Sequence, residues 1–350
     1  MRRLLVLLLP LLAAASMHAA DFSGTDLFIP VAGRVPGQNG TFWQTDLNIT
    51  NVEDSSAHVM VLFFDGTPGG RSFNVTINAH GTLVIKDFAR ERFQLDNAMG
   101  PVEVHSIAPI SQFPSEPVRL LASAWIYNAQ GEHAQFGQVV QGVPTVSLPM
   151  SSDVAGLIGS AERRANAGIA NPFFVTASFT ATLYDADGVA RKTIDVDVEP
   201  RNVHQFSVFP EFGVEPFDGA TVHFASHNGV PVYTYGSIIQ NENGDPSFVI
   251  GTGTDTLATV VTPQCADPAP LWLAGQLALP GWWFTLRDGA DEEAFKARYG
   301  LVDLQPFADP GFMATATPST IATIRCDSDV VSIEQFSEGT LVSGARHAHR

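Results

Sequence analysis

The stretch FNVTINAHGTLVIKDF at residues 73–88 returns, about 120 residues later, as IDVDVEPRNVHQFSVF at 194–209, and a spacing of that size marks a duplicated structural unit. The same order holds on either side. NITN (48–51) precedes the first copy as GIAN (168–171) precedes the second, and LFFDG (62–66) matches LYDADG (183–188). PVEVHS and LLASAWIYNAQGE then follow the first copy, as ATVHFAS and PVYTYGSIIQNENGD follow the second. Each unit is built of short runs rich in Val, Ile, Thr, Phe and Tyr, among them FWQTDLNIT, HVMVLFF, TLVIKDF, FTATLYD and KTIDVDVE, separated by turn residues. Runs of that length and composition predict strands. Asp65-Gly66 and Asp187-Gly188 read as hairpin turns, because both pairs tolerate positive φ. Two copies of one sandwich follow, each of about seven strands with alternating faces, as in immunoglobulin-like domains but without their paired cysteines.

Working outward, Arg2 and Arg3 precede an apolar run from Leu4 to Ala15 and small residues up to Ala20. That order predicts a secretory signal peptide over 1–20, with export and no membrane span after cleavage, since the run is shorter than the ~20 residues a spanning helix needs. The product is expected to be secreted, extracellular or periplasmic. Net charge is −17 and the few basic residues form no stripe, which excludes nucleic acid as a partner. Charged residues make up 16% and apolar ones 45%, a folded composition and not a disordered one. Cys265 and Cys326 are the only cysteines, and in an exported chain they predict a disulfide. The opening IPVAGRVPGQNGTFWQTDLNITN (29–51) resembles the start of exported bacterial β-sandwich repeat proteins of unknown role.

The chain is accordingly expected to be multidomain: β-sandwich domains at 21–148 and 149–255, a Pro- and Asp-rich linker at 256–280, a small α+β domain at 281–337 and a tail at 338–350. In that third domain, strand signals at 282–287, 301–307, 312–317 and 330–336 alternate with helical composition at 291–300 and 318–326. The order β-α-β-β-α-β is the ferredoxin-like plan, a four-stranded antiparallel sheet with two helices on one face. Asp291 and Ser319 can cap the helices, Gly300 can end the first, and Pro318 falls where a missing N–H costs little. Period two puts Phe284 and Leu286, Phe312, Ala314 and Ala316, and Val331 and Ile333 inside, against Phe295, Ile321 and Ile324. Thr285, Met313, Thr315, Ser332 and Glu334 then form the opposite face.

Residues 282–335 also carry Asp288-Gly289 after the first strand, Gly311-Phe312-x-Ala314 with Thr317-Pro318, and Asp329-Val330-Val331-Ser332-Ile333-Glu334-Gln335 at the end. In this they resemble the inhibitor I9 family, the propeptides and free-standing inhibitors of subtilisin-like proteases. The resemblance implies that a subtilisin-like serine protease is the partner, that the helix-free sheet face meets it, and that the segment after the last strand enters its substrate groove. Thr340, Leu341, Val342 and Ser343 would occupy the subsites as an added strand. Because no protease domain follows that strand, an inhibitor and not a zymogen is expected. The competing expectation is an extracellular adhesion or structural protein in which this domain is only a scaffold.

Enzyme motifs are missing from the sequence: it has no G-x-S-x-G, HExxH, post-strand G-x-G-x-x-G or P-loop. No cofactor and no metal are expected. His223 and His227 lie about 13 Å apart along a strand, too far to share an ion. Asp185 and Asp187 open like a calcium loop, but its last ligand position would be Val196 and not Glu. Trp43, Trp125, Tyr127, Tyr233 and Tyr235 are either a ligand platform or ordinary sandwich aromatics.

Overall fold

In the computed structural model the described residues are 22–37, 40–107, 118–129, 136–253, 256, 265, 269, 271–272, 278–305, 311–316 and 318–337. Residues 1–20, assigned to the signal peptide, lie outside them.

The first unit contains β1 (Asp26–Pro36), β2 (Phe42–Asn51), β3 (Ala57–Phe63), β4 (Arg71–Ile77), β5 (Thr82–Ile85), helix α1 (Phe88–Phe93), β6 (Ala98–Ile107), β7 (Leu120–Asn128), β8 (Gly137–Gln141) and β9 (Val143–Pro144). Its strands run β4-β3-β6-β1-β2-β7-β8, with β5 added to β2 and β9 to β1. The ribbon folds over at β1. From Asp26 to Arg34 that strand pairs with β6, whereas Val35 and Pro36 pair with β2, and a bulge between Ile29 and Ala32 redirects it. The two layers close over a core that includes Leu27, Leu47, Ile49, Val59, Phe63, Val104 and Phe88.

The second unit repeats this plan: β10 (Ser151–Ile158), β11 (Arg163–Asn171), β12 (Ala177–Tyr184), β13 (Ala190–Val198), β14 (Asn202–Ser207), α2 (Val208–Phe212), β15 (Asp218–Ser226), β16 (Tyr233–Gln240) and β17 (Pro246–Ile250). Its sheets are β10-β15-β12-β13 and β14-β11-β16-β17. Strands alternate as the pleat requires: Ala57, Val59, Val61 and Phe63 on β3 are buried, and so are Ala177, Phe179, Ala181 and Leu183 on β12. The first unit therefore carries nine strands and the second eight, where about seven were expected in each.

Side-chain hydrogen bonds repeat as well. Asn51 and Asn171 are fully buried, and each donates its amide to three backbone carbonyls: Ser55, Ile77 and Asn78 in one unit, Val175, Val198 and Glu199 in the other. Their Oδ1 atoms accept from the N–H of Glu53 and Phe173. A buried amide without these partners costs about 1–3 kcal/mol per unsatisfied group, so each asparagine fixes its strand ends strongly. The hairpin loops are longer than two-residue turns. Gly66 and Gly188 do take positive φ (86° and 77°), but Asp65 and Asp185 organise the loops by accepting from loop N–H groups and from Arg71 and Arg191.

Two of the expected strand runs, TLVIKDF and VHQFSVF, end in the helices α1 and α2. Burial explains the change. Phe88, Phe209 and Phe212 plug the sandwich cores, and a helical turn delivers them there where an extended chain would alternate them outward.

Sandwich one docks on sandwich two. Phe28 and Val31 of β1, Val143, Leu148, Ala170, Tyr233 and Tyr235 form a separate apolar cluster, and the Tyr233 hydroxyl donates to the Gln141 carbonyl at 2.9 Å. Both faces of β1 and β6 are consequently buried. The outward-facing Asp26, Glu103 and His105 are caught inside, with His105 Nδ1 2.8 Å from Asp26 Oδ1 and Nε2 3.1 Å from Glu103 Oε2.

The remaining elements are β18 (Leu271–Trp272), β19 (Ala278–Leu286), α3 (Glu292–Tyr299), β20 (Val302–Gln305), β21 (Phe312–Thr315), α4 (Pro318–Ile324) and β22 (Val330–Ser337). The sheet order is β18-β22-β19-β21-β20. Trp282, Phe284, Phe295, Phe312, Ala314, Ile321, Ile324 and Ile333 share one core, on which Val146 from the stretch joining the sandwiches also packs. The chain between 256 and 280 is not all linker, because β18 pairs in parallel with β22 and β19 begins at Ala278. Val331 was expected inside and is 47% exposed. A register shift on the β19–β22 ladder pairs Thr285 with Ser332 but Leu286 with Val330, so Val331 is bulged out and Val330 takes its place in the core. Among the described residues no helix is long and apolar enough to cross a membrane, which says nothing of strands.

Burial opposes charging His105, but its hydrogen bonds to Asp26 and Glu103 and their negative charges outweigh this and raise its pKa to about 9 from 6.5. The folded chain thus favours the imidazolium. Its contribution is fully present below pH 6.5 and is lost as pH rises through 9. NMR titration should find His105 protonated well above neutrality, with stability declining across that window; an imidazole titrating near 6.5 would contradict the arrangement.

Candidate functional site

On the third domain the helix ends are fixed as the sequence implies. Asp291 accepts from the Ala294 N–H at 3.0 Å and caps α3, and Gly300 closes it with φ 64°. Helix α4 starts at Pro318, which places Ser319 within its first turn, and the Ser319 side chain lies outside the described residues. Asp327 accepts from the Asp329 N–H, the Tyr299 hydroxyl and Arg298, joining α3 to the turn before β22. Burial alone would raise its pKa, yet these bonds hold its carboxyl below the usual range.

Cys265 and Cys326 form a disulfide with a Cα–Cα distance of 5.8 Å across a separation of 61 residues. The neighbouring chain is clamped too. Ala269 donates its N–H to the Arg325 carbonyl at 2.7 Å, and Arg325 Nε donates back to the Ala269 carbonyl at 3.0 Å. The segment before β18 is therefore tied to the end of α4.

On the sheet face away from the helices, Thr285 and Ser332 are half-buried. Thr315 and Glu334 belong to β21 and β22, and their side chains lie outside the described residues, as do all of Thr340, Leu341, Val342 and Ser343. Met313 departs from the expected open face, being only 6% exposed. It pairs directly with Trp283 across β19 and β21, and Trp283, on the same face by alternation, was missed in the sequence. A Trp beside a covered Met gives this face an apolar centre in a polar surround, the arrangement in which interface energy concentrates.

No known family model matches the chain, and no curated protein matches it. Solved structures give faint likenesses only. A calcium-binding mutant of Bacteroides uniformis beta-glucuronidase 2 aligns at 10% identity and TM-score 0.16, over 70% of this chain and 30% of that one. Parabacteroides merdae beta-glucuronidase with glycerol in its active site aligns at 11% identity and TM-score 0.15, over 63% of this chain and 26% of that one. The chain thus spans under a third of the length of these proteins. Likeness at that level carries no argument about fold or activity.

The aromatic residues do not form one platform. Tyr233 and Tyr235 are buried between the sandwiches, whereas Trp125 and Tyr127 stack at 4.5 Å on the outer face of β7. Beside them Asp46, 2% exposed, accepts from Lys86 Nζ at 2.6 Å, from the Asp87 N–H at 2.9 Å and from the Tyr127 hydroxyl at 3.3 Å. Burial, then Asp46, pushes the Tyr127 pKa up to about 12. His223 pairs with Asp153 at 2.8 Å and His227 with Thr180, and no metal-binding group of three is present among the described residues. Ser151 Oγ stands 3.5 Å from His223 Nε2, longer than a nucleophile and its base require.

Serine at Cys265 and Cys326 should lower the stability of the third domain, by about 4 kcal/mol in chain-entropy terms. Intact-mass analysis of exported protein after alkylation should find no free thiol, and two alkylated cysteines would contradict the pairing.

Proposed function

We propose that this protein is a secreted inhibitor, or intermolecular chaperone, of subtilisin-like serine proteases, and that its tandem immunoglobulin-like sandwiches serve surface or partner binding. One observation carries the reading. The third domain runs β19-α3-β20-β21-α4-β22 along the chain, while in space β22-β19-β21-β20 lie side by side, antiparallel throughout. That order supports a reading as the ferredoxin-like split βαβ plan, which the resemblance to the inhibitor I9 family implies.

Further support comes from the two faces of that sheet. The aromatic and aliphatic side chains on the helix side make a closed core, leaving Trp283, Met313, Thr285 and Ser332 on the side that the family presses against its protease. The disulfide suits an oxidising compartment, in keeping with export. Residues after β22 would then add a strand to the enzyme's substrate groove, gaining affinity from main-chain hydrogen bonds.

Titration of the full chain against a panel of subtilisin-like proteases should give stoichiometric inhibition at nanomolar protein, and no inhibition at micromolar protein would overturn the proposal. Truncation after Gln335, or L341D with V342D, should remove most of the inhibition, because burying an unpaired carboxylate costs several kcal/mol. Thr285→Ala should weaken it less. A truncated chain that inhibits as well as the full one would move the contact to another surface.

A further inference from the structure

The outer face of the β14-β11-β16-β17 sheet and the end of the first sandwich border a half-open cavity of about 520 Å³. Small-molecule sites have this size and form at such domain junctions. Its apolar wall includes Trp43, Val35, Met99 and Ile126 from one sandwich and Ile239 and Pro246 from the other. The lining contains no Asp or Glu, in a chain with 36 acidic against 19 basic residues.

What the polar lining offers is donors. Gln138 Oε1 accepts from Ser237, Gln205 Oε1 from Tyr235 and Asn166 Oδ1 from Ser207, which leaves the amide N–H groups of all three for a ligand. Arg164 lines the same space, is half-buried, and donates Nη1 to the neutral Asn241 at 2.8 Å. Among the described residues it has no ion-pair partner. Burial lowers its pKa, as befits a guanidinium lacking a counter-charge.

The duplication supplies an internal control. Aligning Asn51 with Asn171 places Gln44 opposite Arg164 in the two copies and Asp46 opposite Asn166, and the ladders then match Trp125 with Ser237. The first sandwich therefore keeps a buried carboxylate on this face. In the second an amide, Asn166, stands at that place and a guanidinium, Arg164, two residues before it.

We propose that the cavity between the sandwiches binds a small apolar carboxylate, its anionic group received by Arg164 and the amides of Gln138, Asn166 and Gln205, and its body by Trp43, Met99 and Ile126. Charge-assisted bonds from a forked guanidinium suit a carboxylate best, and a cation would meet no carboxylate among the lining residues.

Calorimetric titration of the full chain with indole-3-acetate, phenylacetate and octanoate, each beside its matched alcohol, tests this. At least one carboxylate should bind below millimolar and its alcohol at least about tenfold more weakly, the loss expected on removing a charged partner. R164Q should erase that preference, while R163Q, on the exposed neighbour, should not. M99W should block binding with Arg164 intact, which covers the case in which R164Q fails to fold. No binding by any carboxylate at millimolar concentration, equal binding by acid and alcohol, or an unchanged R164Q would overturn the proposal.

Discussion

The burial of β1 and β6 on both faces is the constraint from which the rest of the architecture follows. Leu27, Ile29, Val102 and Val104 face the core of the first sandwich, whereas Phe28 faces the second, against Tyr233 and Tyr235. A strand wet on one face would have left Asp26, Glu103 and His105 in solvent. Docking encloses them instead, and only mutual hydrogen bonds make that enclosure tolerable, since buried charge without a partner is costly. The same docking creates the space between the sandwiches and positions Val146 against the third domain.

Duplication separates what the fold needs from what has been free to diverge. Asn51 and Asn171, Asp65 and Asp185, and Arg71 and Arg191 hold the same places with the same partners, because strand ends and loops with buried carbonyls or clustered amides demand them in both units. The outer faces of β2 and β11 have no such demand. One carries Asp46 with Lys86 and Tyr127, and the other carries Arg164 and Asn166. Divergence of chemistry on a retained scaffold is how a second copy becomes a docking face or a site.

The sequence made the strands and their duplication legible because alternation is local: the buried series on β3 and β12 can be counted directly from residue types. Caps were legible for the same reason, as Asp291 and Gly300 demonstrate. What escaped was set by distant partners. Strand propensity in KDF and SVF lost to the need to plug the sandwich ends, a bulge displaced Val331, and β18 is a strand only because β22 offers an edge. Neither the Asp26, Glu103 and His105 cluster nor the donor-rich cavity could be read, since each joins residues from separate strands. Trp283 was within reach, for it is the residue between two core positions on β19, but its pairing with Met313 depends on register.

In the proposed complex the third domain meets a protease through the sheet face opposite its helices. Hydrogen exchange of the full chain with and without an active-site-competent subtilisin-like protease measures it most directly. New protection is expected in β19, β21 and β22 and in the chain that follows, with the sandwiches unchanged. Protection confined to the sandwiches, or to α3 and α4, would contradict it.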